Sequence, residues 1–256
     1  MLRAYRSEWL KLRRPGMILG GLGAMAGFAI LGTVLAVLRA DSGRGALTVA
    51  SLSQPDGFAA IMQRTSDFLG IVALAIVAIA VAQEYSHGTL RNLLVREPRR
   101  LRLLSGKLLA ILTFIGLAVL VATGAALVTG LAIAPSKGID TSAWLASGLR
   151  DTMGTTFDLT LATLGYGVFG ALLGLVLRSP APAVIAGVAW MLPLENALTA
   201  AWTSVGHWLP GQQLAAIVEH GNSVSTYTFA LALGAGFVAA ATIASGVIFQ
   251  RRDVSA

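Results

Sequence analysis

The sequence predicts an all-α integral membrane protein. It is expected to have six transmembrane helices, an N-terminal amphipathic elbow helix and a short cytoplasmic helix between spans two and three. Three observations predict this. Hydrophobic residues make up 55% of the 256 residues and charged residues 12%, about half the charged share usual in soluble domains, and the mean hydropathy is +0.74. The apolar residues gather into long runs free of charge. The basic residues collect in the segments between alternate runs.

A helix needs about 20 apolar residues to cross roughly 30 Å of hydrocarbon. Pro15 to Leu38, Leu108 to Ala134, Leu159 to Leu177 and Gly221 to Gln250 carry no charge and reach or approach that length. Phe68 to Gln83 is short, and lengthens if Arg64 and Asp67, three apart, pair as its outer turn. Ser179 to Leu194 lies between Arg178 and Glu195 and can run on toward Ala201. The expected spans are therefore about 16–38, 64–84, 107–134, 157–177, 180–201 and 226–249, with five spans as the rival count.

Charge distribution decides between the two counts, because cytoplasmic loops collect Lys and Arg. Six spans place residues 1–14, the Glu84–Lys107 loop, Arg178 and the Arg251–Arg252 tail on one side, with fourteen basic residues. Arg39, Arg44, Arg64, Lys137 and Arg150 fall on the other side with eight acids. A five-span chain would put one terminal cluster on the wrong side. Both termini are therefore expected in the cytoplasm, in a multi-pass protein of the inner (cytoplasmic) membrane.

Residues 1–14 do not read as a cleavable signal peptide, since the apolar run after them is about twice the usual length. Leu2, Tyr5, Trp9 and Leu12 share one helical face, with Arg3, Lys11 and Arg14 elsewhere. Such a helix can lie in the headgroup plane, with Trp9 at the interface and the cations, Arg13 among them, toward anionic lipid. The plainer reading is a charged topology signal.

Several chemistries are excluded. The chain has no cysteine, so it forms no disulfide and no thiolate metal site. Its histidines, His87, His207 and His220, form no His-Glu-x-x-His pair, and no Gly-x-Ser-x-Gly elbow occurs. A P-loop requires Lys followed by Ser or Thr, but Lys11 and Lys107 precede leucine and Lys137 precedes Gly138. The chain is therefore expected not to be an enzyme, and any ATP that drives it binds to another chain. The positive net charge is distributed as membrane topology demands, so no nucleic-acid partner is expected. Glu195 is the one carboxylate near an apolar run and a candidate for the substrate pathway, unless it sits hydrated at the outer interface. Gly16/Gly20, Gly23/Gly27 and Gly170/Gly174 are four apart and permit close helix approach.

The loop "EYSHGTLRNLLVREPRRLRLLSGK", Glu84 to Lys107, holds six basic residues against two acids. Gly88 can end an extended second span, and Thr89 can cap a short helix after it. Leu90, Leu93 and Leu94 form one face of that amphipathic helix, with Arg91 on another. Pro98 ends it, and Arg99 begins the stretch leading into span three. Such a helix can dock a partner, leucines in a groove and arginines on an acidic rim. It can equally be a lipid-facing or merely topogenic loop.

The pattern Glu84-x-x-x-Gly88-Thr89-Leu90, Leu93-Leu94, Pro98-Arg99 and Gly106-Lys107 resembles the first cytoplasmic loop of permease subunits of type-2 ABC exporters. "SEWLKLRRP" (Ser7–Pro15), "LPGQQLAAI" (Leu209–Ile217) and "FQRRDV" (Phe249–Val254) are similar to that family's opening, outer segment and ending. The resemblance implies that residues 1–256 form a single permease domain with six spans, pairing as a homodimer or heterodimer. Two copies of a cytoplasmic ABC ATPase, carrying the ATP and Mg, would dock on the loop at 85–106. Leu90 to Glu97, including Arg96, would be its coupling helix. Glu84 would fix that loop by pairing with a nearby arginine. Spans two and five would line the path, with Glu195 near its outer mouth. The alternatives are an ion-gradient-driven secondary transporter and a non-transport scaffold or sensor subunit.

Overall fold

A computed structural model describes residues 2–13, 15–43, 47–86 and 100–251. Among them six helices are long and apolar enough to cross a membrane. Span one is Pro15–Leu38, span two Gly57–Ser86, span three Arg100–Ile133 and span four Leu149–Leu177. Span five starts as Pro180–Ala189, passes through a π-turn at Trp190–Leu194 and ends as Glu195–Ala201. Span six is Tyr227–Arg251. An N-terminal helix, Leu2–Leu12, precedes them, and a short helix, Pro210–Val218, lies between spans five and six.

The π-turn has a local cause. Pro193 lies inside it, has no N–H to donate and clashes with the carbonyl four residues back, so the regular ladder cannot continue. Glu195 comes immediately after the turn.

Spans two and four form the centre of the bundle and run side by side in the same direction. Gly170 and Gly174 make their approach possible. A Cβ at Gly170 would stand 2.3 Å from the Leu74 carbonyl oxygen, and one at Gly174 2.8 Å from that of Ala78. One turn earlier the ring of Tyr166 lies over Gly70. The other two glycine pairs behave differently: Gly16, Gly20, Gly23 and Gly27 face open space. Span one turns Met25, Ala29, Thr33 and Val37 inward instead.

At the end of the bundle away from the N-terminal helix, the connections fold into a cap. Trp144, 1% exposed, donates its indole N–H to the Leu52 carbonyl (2.8 Å) and packs against Phe58. Asp140 accepts the Ser142 backbone N–H at 2.9 Å, and that bond holds its carboxyl below the usual range. Large apolar side chains remain exposed on spans one, five and six, among them Leu31, Ile185 and Ile243. In a bilayer these are covered by acyl chains or by a neighbouring helix.

Candidate functional site

The end of the bundle where the N-terminal helix and the last turn of span six lie holds a knot of four charges from three elements. Glu8 and Lys11 stand three apart on the N-terminal helix and pair with each other. Glu84 lies in the last turn of span two, and Lys107 in the second turn of span three. Lys107 Nζ is 2.6 Å from Glu84 Oε1 and 3.8 Å from Glu8 Oε2; Lys11 Nζ is 3.7 Å from Glu84 Oε1. Each acid thus faces both lysines and the four charges cancel. Glu8 and Lys107 are buried, and a buried ion can be kept only when it is paired.

Apolar packing puts the N-terminal helix where this pairing is possible. Tyr5 and Trp9 stack with ring centroids 6.1 Å apart, and both pack on a core that includes Leu12, Leu103, Leu104 and Phe249. The face expected toward lipid therefore packs on span three as well. Next to the knot, the Arg178 guanidinium sits 5.7 Å from the centroid of the Tyr85 ring, a cation–π contact joining the end of span two to the turn after span four.

Glu84 lies just before, and Lys107 a few residues after, the segment between Ser86 and Arg100. Gly88, Thr89, Leu90, Arg91, Leu93, Leu94, Arg96, Glu97, Pro98 and Arg99 fall in that segment, outside the described residues, as does Arg14. Arg13 is exposed in the turn after the first helix. Glu84 meets lysines from two other elements in this arrangement; the pairing with a nearby arginine expected from the sequence falls on the loop, most of which lies outside the described residues. Glu8 and Lys11 are site residues that the sequence reading misses; their spacing of three beside the Tyr5–Trp9–Leu12 face is the available signal.

A second polar arrangement lies toward the opposite end. Glu195 is fully buried. Its Oε2 accepts the backbone N–H of Gln212 at 3.0 Å, and the carboxylate also takes that of Gly211. These are the free donors in the first turn of the helix Pro210–Val218, whose first residue, proline, has none. A Cβ at Gly211 would come within 2.6 Å of Glu195 Oε2, so a side chain there would have to push the carboxylate from this position. Nearby, Asp158 of span four accepts the Tyr227 hydroxyl at 2.8 Å and lies 3.1 Å from His220 Nε2. Asp67, expected to pair with Arg64, takes the Tyr166 hydroxyl instead.

The amino-acid sequence matches the model of the ABC-2 family transporter proteins over residues 5–192. That stretch runs from the N-terminal helix, through all four residues of the knot, into span five, and exceeds half the chain. The chain belongs to the ABC-2 transporter family. No curated protein matches it.

This ABC-2 permease is a multi-pass membrane subunit of an ABC transporter. Its matched region ends just before Glu195, so the cap on Pro210–Val218 belongs to the part of the chain that the family model does not cover. Removing the cap has a defined expected result. Glu195→Ala strips the two backbone donors of their acceptor and is expected to cost about 1–2 kcal/mol. Thermal unfolding in detergent reads that loss, and limited proteolysis is expected to find new cleavage between Trp202 and Glu219. Unchanged cleavage there would show that the cap does not hold the segment.

Proposed function

We propose that the chain is the membrane-spanning half of an ATP-driven exporter. It sits in the cytoplasmic membrane with both termini inside, and pairs with a second permease chain, identical or related. Two cytoplasmic ABC ATPase subunits, holding ATP and Mg, engage the loop at 85–106, with Leu90 to Glu97 as the coupling helix. Closure of the ATPases moves that helix, and the spans convert the movement into alternating access for the exported substrate.

The observation that carries this reading is the knot of Glu8, Lys11, Glu84 and Lys107. A loop that relays force must be anchored at both feet, or its movement dissipates in the linkers. Glu84 and Lys107 hold the two feet together, and Glu8 and Lys11 fasten them to the N-terminal helix. A purely topogenic loop needs basic residues but no such anchor. Spans two and five border the path in this reading, with Glu195 near its outer mouth, where it steadies the helix Pro210–Val218.

Coupled transport tests the assignment. Leu93→Asp with Leu94→Asp, or Arg91→Glu with Arg96→Glu, is expected to lower substrate-stimulated ATP hydrolysis in proteoliposomes by about tenfold or more, the usual loss on removing interface hot spots. Both variants leave the four knot residues in place. If either binds the ATPase and transports at the normal rate, the loop does not couple.

A further inference from the structure

Spans one and two meet at Gly32 and Thr65 so closely that a Cβ on Gly32 would collide with the threonine methyl at 1.8 Å. Beside that contact a cavity of about 540 Å³ opens, lined by Leu35, Ala36, Leu47 and Phe68 and by two arginines, Arg39 and Arg64. Arg39 comes directly after the last residue of span one, and Arg64 lies in the second turn of span two. Both are exposed, at the end of the bundle opposite the knot.

Neither guanidinium has a carboxylate within ion-pair distance among the described residues. The acids nearest in sequence are engaged elsewhere. Both oxygens of Asp41 face the Val49 backbone N–H at 3.3 Å, and Asp67 takes the Tyr166 hydroxyl. The cavity thus has two cations at its rim and an apolar wall. That wall continues along the outside of the bundle. Phe28 and Phe68 stack with centroids 6.4 Å apart, and with Leu31 and Leu35 they are exposed. From Phe28 to Arg39 the helix rises about 16 Å, a length comparable to a twelve-carbon chain.

We propose that this cleft binds a phosphate-bearing amphiphile, its phosphate between Arg39 and Arg64 and its acyl chain along Leu35, Leu31 and the Phe28–Phe68 pair. Arginine suits the task because its planar fork meets phosphate oxygens in pairs and is less strongly hydrated than an ammonium. At the depth where span one ends, headgroups and acyl chains meet, so both halves of such a ligand find their solvent. The site is independent of the ATPase-docking loop and does not rest on the exporter reading.

Dodecyl phosphate is the probe, added to the full chain in dodecyl maltoside, with binding followed by native mass spectrometry and thermal shift. Saturable binding is expected, weakened at least tenfold in the Arg39→Gln/Arg64→Gln double variant. Leu35→Trp, which keeps both arginines and fills the chain's seat, is expected to weaken it similarly. Unaltered affinity in the double variant would overturn the proposal. So would inorganic phosphate competing as well as dodecyl phosphate, because the site would then hold a free anion without using the apolar wall. The unliganded melting temperature of each variant, expected to match that of the parent, separates lost binding from lost folding.

Discussion

Lys107→Met is expected to destabilise the protein by about 3 kcal/mol, because removing one partner of a buried ion pair leaves the other charge uncompensated. The lost cation stands 2.6 Å from Glu84 and 3.8 Å from Glu8, so of the knot's four charges the variant keeps two carboxylates and one lysine, Lys11. Lys11 is a weak substitute, with its side chain 43% exposed and 3.7 Å from Glu84, where water screens its attraction. Adding Glu84→Gln removes the excess negative charge and leaves the Glu8–Lys11 pair. The double variant is therefore expected to regain most of the loss, giving a coupling energy of roughly 1–3 kcal/mol between the two sites. Unfolding midpoints of the four proteins in one detergent measure it. If the two substitutions simply add, Lys107 and Glu84 act independently and the knot is not a unit. The same double variant separates anchoring from folding: it should fold nearly as well as the parent, yet transport less substrate for each ATP hydrolysed, because the feet of the loop are no longer tied.

How much can be read in the sequence depends on how far each interaction reaches along the chain. The spans are legible because bilayer thickness acts on consecutive residues, and a charge-free run such as Leu108 to Ala134 needs no partner to be recognised. The orientation is legible for a similar reason, since clustered arginines and lysines act through their count. The knot is not. Glu84 meets Glu8's helix and the start of span three only because Tyr5, Trp9 and Leu12 dock on Leu103 and Leu104, a contact between segments far apart in sequence. A basic loop containing six arginines and lysines makes arginine the natural expectation for Glu84's partner. The two lysines reach Glu84 from packed helices, which no local pattern shows. Glu195 poses the same difficulty. Nothing in its neighbouring residues shows that its carboxylate closes the first turn of a helix that begins at Pro210, although Pro210 and Gly211 together mark a helix start. The carboxylate is sequestered by that helix, which accounts for an acid in an apolar run without requiring it to touch a substrate.

The glycine pairs show the same limit from another side, and lead to the second large effect. Spacing of four is identical at Gly23/Gly27 and Gly170/Gly174, yet the first pair faces open space and the second lies against the backbone of span two. Gly170→Leu must push span four away from the Leu74 carbonyl, which a Cβ would approach to 2.3 Å. Backbone cannot yield as a flexible side chain does, and the displacement would open the packing of Gly174 on Ala78 and of Tyr166 on Gly70 in the same interface. Overpacking of this kind costs typically 1–3 kcal/mol and occasionally more; a rigid backbone contact at the centre of the bundle places the expectation at about 3 kcal/mol. Gly23→Leu is the matched control. It makes the same chemical change in a span with the same spacing, has nothing within 4 Å to strike, and replaces a poor helix former with a good one. Its melting temperature is expected to equal or exceed that of the parent, while that of Gly170→Leu falls by several degrees. Equal melting of the two variants would mean that spans two and four do not touch at Leu74 and Gly170. The parallel pairing at the centre of the bundle, and the position of every element packed against it, would then have to be redrawn.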